Sequence, residues 1–187
     1  LQTDGTIRLG RPGRRGPRHE IFLPAPRGQL RDLGQRLAET GVAVTVLPAT
    51  DLFVMGRHLD HSVIRGVTDA NALLAQGVNC SLSTNNVLNP FTPFGDCSLV
   101  RIANLYANVA QRGGGEELSD CFEMLTNRSA RLLRRDDYGL EVGRPADFVV
   151  WNANSPAEAV ATIARPLYGF KRGRQTFSQT LPELHRP

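Results

Sequence analysis

The chain is predicted to be an α/β protein in which helices cover a parallel sheet. Three observations predict it. Two helix-then-strand units follow one another, Leu30 to Ala38 into Val42 to Leu47 and Thr68 to Ala75 into Val78 to Leu82. Both strand stretches are short and built from small, packable residues, as buried strands are. An irregular polar segment long enough to cross back over a sheet separates them, the arrangement that parallel pairing requires.

Each element follows from local pattern. Leu30, Leu33, Leu37 and Ala38 recur at helical spacing, and Thr40-Gly41 stops that helix before the first strand. Residues Pro48 to Arg65 read as polar and irregular. Asp96 is expected to cap the next helix, whose apolar stripe is Leu99, Ile102, Ala103, Tyr106, Val109 and Ala110. Gly113 to Gly115 is expected to be a flexible linker, because a phosphate loop would add a preceding strand and a lysine. A helical pair, Leu118 to Leu125 and Ser129 to Leu133, is joined at Thr126-Asn127, with Asn127 as N-cap.

Beyond Asp136 the character changes. A strand is expected at Asp147 to Trp151, followed by the capping box Ser155-Pro-Ala-Glu158 with proline at the first helical position. Leu167 to Lys171 and Gln175 to Phe177 flank Arg172-Gly173-Arg174 as the arms of a hairpin would. Residues after Ser178 read as a tail.

Charge excludes a simple nucleic-acid reading. The formal charge is +4, yet residues 1–18 alone hold Arg8, Arg11, Arg14, Arg15 and Arg18 against Asp4, so the remainder balances to zero. That Gly/Pro-rich arm lacks aromatics for base stacking, and reads as a disordered or foreign leader. Such an arm could touch phosphate, and a basic-arm nucleic-acid binder stays as a further alternative that would need affinity falling steeply with salt, but nucleic acid is not the leading partner. No apolar run approaches the roughly 18 residues of a membrane span, so no membrane partner is expected. Three widely spaced cysteines, Cys80, Cys97 and Cys121, fit neither a disulfide framework nor a metal knuckle, and point to a reducing cytoplasm.

The most informative stretch is Cys80 to Gly95, a strand that empties into a loop of amides and prolines. Barrel enzymes keep their chemistry at such strand ends. Turn-forming asparagines are the structural alternative for Asn85 and Asn86, since Asn bonds its own backbone readily. His58 and His61 have a spacing that could serve a metal, but between Arg57 and Arg65 in a loop they read as solvated side chains. Cys97 has no histidine near it in sequence, so nucleophilic catalysis is not expected there.

Several segments together resemble the amidohydrolase superfamily, in its cytosine deaminase-like branch of metal-dependent hydrolases. They are Val44-Thr-Val-Leu-Pro48 with Gly56-Arg57, Gly77 through Asp96, Asn104 to Asn108, Thr126 with Ser129 to Leu133, Asp137-Tyr-Gly139, Gly143-x-Pro-Ala-Asp147 and Gly169 to Gly173. The resemblance implies the C-terminal part of a (β/α)8 TIM-type barrel followed by strands of a small β-sandwich. Residues 1–18 would be the arm, 19–135 a partial barrel, 136–178 sandwich strands and 179–187 a tail. Val42 to Leu47 and Val78 to Leu82 would be the seventh and eighth barrel strands.

The activity implied is hydrolysis of carbon–nitrogen bonds other than peptide bonds, in cyclic amidines or related small molecules. A divalent metal, zinc or iron, would lower the pKa of bound water to about 7 while a carboxylate accepts the proton. Asn85 stands where the family carries the aspartate that is both ligand and base, and an amide is a poor transition-metal ligand and no base. His19 resembles the histidine that polarises substrate. Asn86, Phe91 and Arg57 are the implied substrate contacts, Phe91 as the aromatic that closes over the base ring.

The chain is therefore expected to be a C-terminal piece that binds no metal and is inactive by itself. The leader of alien composition suggests a gene break or frame change near His19. A catalytically silent small-molecule-binding or scaffold protein is the alternative. Two barrel strands cannot close a barrel, so self-association through open edges is expected.

Overall fold

The computed structural model describes residues 27–63, 66–183 and 185. His19 and the basic arm lie outside the described residues. Two layers of structure result, one built on a parallel strand pair and one on an antiparallel sheet.

The first part opens with helix α1 (Arg27–Glu39), which feeds strand β1 (Val44–Val46), helix α2 (Pro48–Val54), helix α3 (Ala70–Leu74) and strand β2 (Cys80–Leu82). The two strands are joined in parallel, with Val44 opposite Cys80, Thr45 opposite Ser81 and Val46 opposite Leu82. The α/β class is thereby observed.

Both strands are entered through the same chain reversal. Gly41 has φ of 66° while its N–H bonds the Ala38 carbonyl and that of Val42 bonds Leu37. Gly77 has φ of 86° while its N–H bonds Leu74 and that of Val78 bonds Leu73. These paired bonds satisfy the last helical carbonyls, and the left-handed residue suits glycine because it lacks Cβ. The chain leaves each helix already aimed back along the sheet.

Helix α2 occupies ground expected to be irregular. Pro48 sits at its first turn, where the missing N–H costs nothing, and Asp51 complements the helix dipole there. Seven residues give too little periodicity for the helix to show among the polar residues around it.

Helices α4 (Leu99–Val109), α5 (Gly115–Leu125) and α6 (Asn127–Leu132) follow. Ser98, rather than Asp96, caps α4: its hydroxyl accepts from the Arg101 N–H at 3.3 Å. Asp96 instead grips the Arg101 side chain at 2.8 and 3.0 Å and accepts from the Ser98 N–H. Asn127 does not cap α6, because its amide is spent on the Glu123 carboxylate and Thr126 takes the cap position. Gly113 and Gly114 are held, not loose, since both N–H groups donate to Glu117 Oε2.

Helix α4 buries Val100, Ile102, Ala103, Tyr106 and Ala107, so the buried face is rotated from the expected stripe and Leu99 is left exposed. Tyr106 is completely buried, and its hydroxyl donates to Asn71 Oδ1 at 2.8 Å while accepting from the Asn71 N–H. One contiguous core joins Leu37, Val44, Val46, Leu73, Cys80, Leu82, Tyr106 and Met124.

The second part contains β3 (Phe148–Trp151), helix α7 (Pro156–Ala161), β4 (Pro166–Lys171) and β5 (Arg174–Ser178). The strands form an antiparallel sheet in chain order. Arg172 and Gly173, with φ of 50° and 74°, make the two-residue turn, and Asp147 holds it by accepting from the Arg172 N–H at 2.7 Å and pairing with Lys171. Helix α7 docks on the first part: Val160 joins its core, and Asn104 donates to the Val160 carbonyl at 2.9 Å. Among the described residues, no helix is long and apolar enough to cross a membrane.

Candidate functional site

The ends of β1 and β2 converge on one hydrogen-bonded cluster. Thr50, in the first turn of α2, follows β1, and Asn85 follows β2 by three residues. The Thr50 hydroxyl donates to Asn85 Oδ1 at 3.2 Å and lies 2.7 Å from the Thr92 hydroxyl. Because Thr50 has a single hydroxyl proton, Thr92 is the donor in the second contact. Thr50 and Thr92 are both buried, at 5% and 2% exposure, where neither hydroxyl could be left unpaired without a cost of about 1–3 kcal/mol.

From Asn85 the network runs outward along the loop. Asn86 Nδ2 donates to Asn85 Oδ1 at 2.6 Å, and Asn89 Nδ2 donates to Asn86 Oδ1 at 2.7 Å. Asn89 Oδ1 accepts from the N–H groups of Phe91 and Thr92, each at 3.0 Å. Asn89 thus makes the kind of turn that the structural alternative assigned to Asn85 and Asn86, whose side chains bond other side chains instead, and the exposed Phe91 follows in the same loop.

Three of the five anticipated residues, Asn85, Asn86 and Phe91, are thus brought into one loop. Arg57 is not part of it: its guanidinium lies 5.0 Å above the Phe53 ring, which meets Phe94 edge to face. His19 lies outside the described residues. Thr50 and Thr92 were not anticipated, Asn89 was read only as one of the amides after the strand, and Asp51, buried at 3% exposure, belongs to the same turn as Thr50. Pro48 at a helix start was the available signal for Thr50 and Asp51.

The donor set does not fit a transition-metal site. Asn85 Oδ1 accepts two hydrogen bonds, which occupy both lone pairs of a neutral amide oxygen. Among the described residues no group of three or more His, Cys, Asp or Glu could hold a metal ion. His58 and His61 are exposed in a turn, with His61 Nδ1 2.5 Å from Asp60.

The thiols divide in two. Burial pushes Cys80 and Cys121 up to about 12, which keeps both protonated and inert. Cys97 is exposed.

The sequence matches the Amidohydrolase family over residues 2–177. The chain belongs to the amidohydrolase family. N-isopropylammelide isopropyl amidohydrolase from a Pseudomonas strain is 33% identical over 103 residues, which are 54% of this chain and 26% of that protein. Pterin deaminase from Rhizobium rhizogenes is 26% identical over 149 residues, 79% of this chain and 33% of that protein. The structure of 5-methylcytosine deaminase from Klebsiella pneumoniae with 5-fluorocytosine superposes with a TM-score of 0.79 at 26% identity, over 87% of this chain and 40% of that one. A zinc-complexed atrazine chlorohydrolase from Arthrobacter aurescens, 23% identical with a TM-score of 0.58, shares the fold. This amidohydrolase chain spans about a quarter to two-fifths of these relatives, the first three of which are hydrolases of carbon–nitrogen bonds.

Proposed function

We propose that the cluster around Asn85 is the substrate-side wall of a carbon–nitrogen hydrolase site that acts on a cyclic amidine or a related small heterocycle in the cytoplasm. In this reading β1 and β2 are the seventh and eighth strands of a (β/α)8 barrel, and β3 to β5 belong to its small β-sandwich. The observation that carries it is the bond from Thr50 to Asn85, which ties the carboxyl ends of two parallel strands where barrel enzymes place substrate. Neutral amides in one loop with an exposed aromatic ring suit a flat, polar, uncharged heterocycle, whose face the ring would cover while amides orient its edge.

The amides and hydroxyls of this cluster bind and orient, and none of them is a base. Asn85 can accept no proton from an attacking water, so this chain by itself holds substrate without hydrolysing it. In the family a divalent metal would supply the activated water, and the described residues give it no ligand set. Open strand edges favour self-association of the chain.

The test is ammonia release from cytosine, pterin and triazine substrates with zinc or iron added, alongside equilibrium binding of cytosine. Saturable binding without ammonia is the expected result for this chain. Ammonia release in excess of a heat-treated control, or no binding of any of these heterocycles, contradicts the reading.

A second reading, a catalytically silent small-molecule-binding or scaffold protein, is favoured by the two donors on Asn85 Oδ1. It expects tight, metal-independent binding even in a longer protein containing these residues, whereas the hydrolase reading expects metal and ammonia release from that longer protein.

A further inference from the structure

Behind the Asn85 loop lies a second, mostly apolar cavity of about 380 Å³. Leu52 and Phe53 of α2 form one wall, Val87 and Phe94 of the loop another, and Ile102 and Leu105 of α4 the third. None of Asn85, Asn86 and Phe91 lines it. Its volume lies in the range of small-ligand sites, about 300–1,000 Å³.

The wall chemistry states what would fit. Phe53 and Phe94 meet edge to face at 5.8 Å, an arrangement that offers ring edges and faces to a third ring. The charged lining groups are Asp96 and Arg101, and they neutralise each other through a two-point contact at 2.8 and 3.0 Å. A charged ligand would lose its hydration here without gaining a counter-charge. An uncharged aromatic molecule of one or two fused rings would keep the ion pair and bury its rings.

Thr92 connects this cavity to the Asn85 loop. It lines the cavity, its hydroxyl donates to Thr50, and Thr50 donates to Asn85 Oδ1. Displacing Thr92 by a few tenths of an ångström must lengthen a buried bond or move both partners, because a buried hydroxyl has no water to turn to.

We propose that this cavity binds a small uncharged aromatic molecule and that its occupancy is transmitted to Asn85 through the Thr92 and Thr50 hydroxyls. Binding here needs no turnover at Asn85, so it can be measured separately. The probe is 5-fluoroindole, titrated into the full chain and followed by fluorine NMR line broadening, which works for monomer and assembly alike. Saturable broadening is expected.

Leu105→Trp, which grows a ring into the cavity, should weaken it by about tenfold or more. Should that variant lose its circular dichroism signal, Ala49→Phe from the facing wall serves instead, with the same loss expected. Absence of saturation, or unchanged affinity in a folded cavity-filling variant, overturns the site.

Coupling is read at the Asn85 side-chain amide, whose resonances should shift as the probe saturates. Thr50→Val should retain probe affinity and abolish that shift. A probe that binds without moving Asn85, or that moves it equally in Thr50→Val, overturns the coupling.

Discussion

Val44, Val46, Cys80 and Leu82 are at most 1% exposed, whereas every residue of β5 is exposed, although all of them lie in strands. The strand pair β1–β2 packs against α3, α4, α5 and α6, and its side chains join one core with Leu37, Tyr106, Met124 and, on α7, Val160. The antiparallel sheet leans on the rest through α7 and through the Phe122–Trp151 contact at 6.2 Å. Burial on both faces is what parallel strands require, while an antiparallel sheet tolerates one open face. The difference teaches that stability is concentrated where the candidate site stands, and that the sheet is an appendage whose side chains carry less of it.

The largest effect expected from this contrast separates two truncations. Tyr106→Ala removes a wholly buried ring and the bonds to Asn71, and should cost about 3–5 kcal/mol. Val150→Ala, at 40% exposure on β3, should cost under about 1 kcal/mol. Urea denaturation measures both, and similar costs would break the comparison.

Alkaline unfolding sharpens it. Cys80 and Cys121 are held protonated in the fold, with pKa raised from 9.0 to about 12. Their contribution is therefore full below pH 9.0, where the unfolded thiols are protonated too, and is lost as pH rises toward 12. Melting temperature should fall across that window, and Cys80→Ala with Cys121→Ala should flatten the fall. At pH 8 a thiol reagent should modify Cys97 quickly and the other two only on unfolding.

Within the sheet, Gly169 pairs with Phe177, and a Cβ on Gly169 would come within 2.1 Å of that ring. Gly169→Val should cost about 1–3 kcal/mol, less in a Phe177→Ala background where the ring is gone. Equal costs in both backgrounds would show that packing against Phe177 is not the reason for glycine here.

The smallest effect concerns a helix end. Arg134, exposed with φ of 54°, closes α6 with the same paired bonds that Gly41 and Gly77 make, through Arg131 and Ala130. Arg134→Gly should stabilise by up to about 1 kcal/mol.

Legibility followed range. The strand positions, the hairpin and the Ser155 cap follow from neighbours a few residues apart, and the sequence shows them, although Arg174, expected between the arms, pairs with Lys171 as the first residue of β5. The caps at Asp96 and Asn127 were misread because a better partner, Arg101 or Glu123, sits one turn away and competes for the same side chain. Asn85 was legible as a strand-end residue. Its attachment to Thr50 was not, since those residues stand 35 apart and meet only when β1 and β2 pair. A separation of 42 residues from Thr50 likewise hid Thr92, and with it the path from the apolar cavity to the loop.

Thr50 and Asn86 take both lone pairs of Asn85 Oδ1 at the mouth of the strand pair, which leaves that oxygen none for a metal. Titrating zinc into the chain while following the Asn85 side-chain amide by NMR tests it most directly. Those resonances are expected to stay in place through one equivalent; a stoichiometric shift of Asn85, with zinc affinity lost by calorimetry in Asn85→Ala, would be the contradicting result.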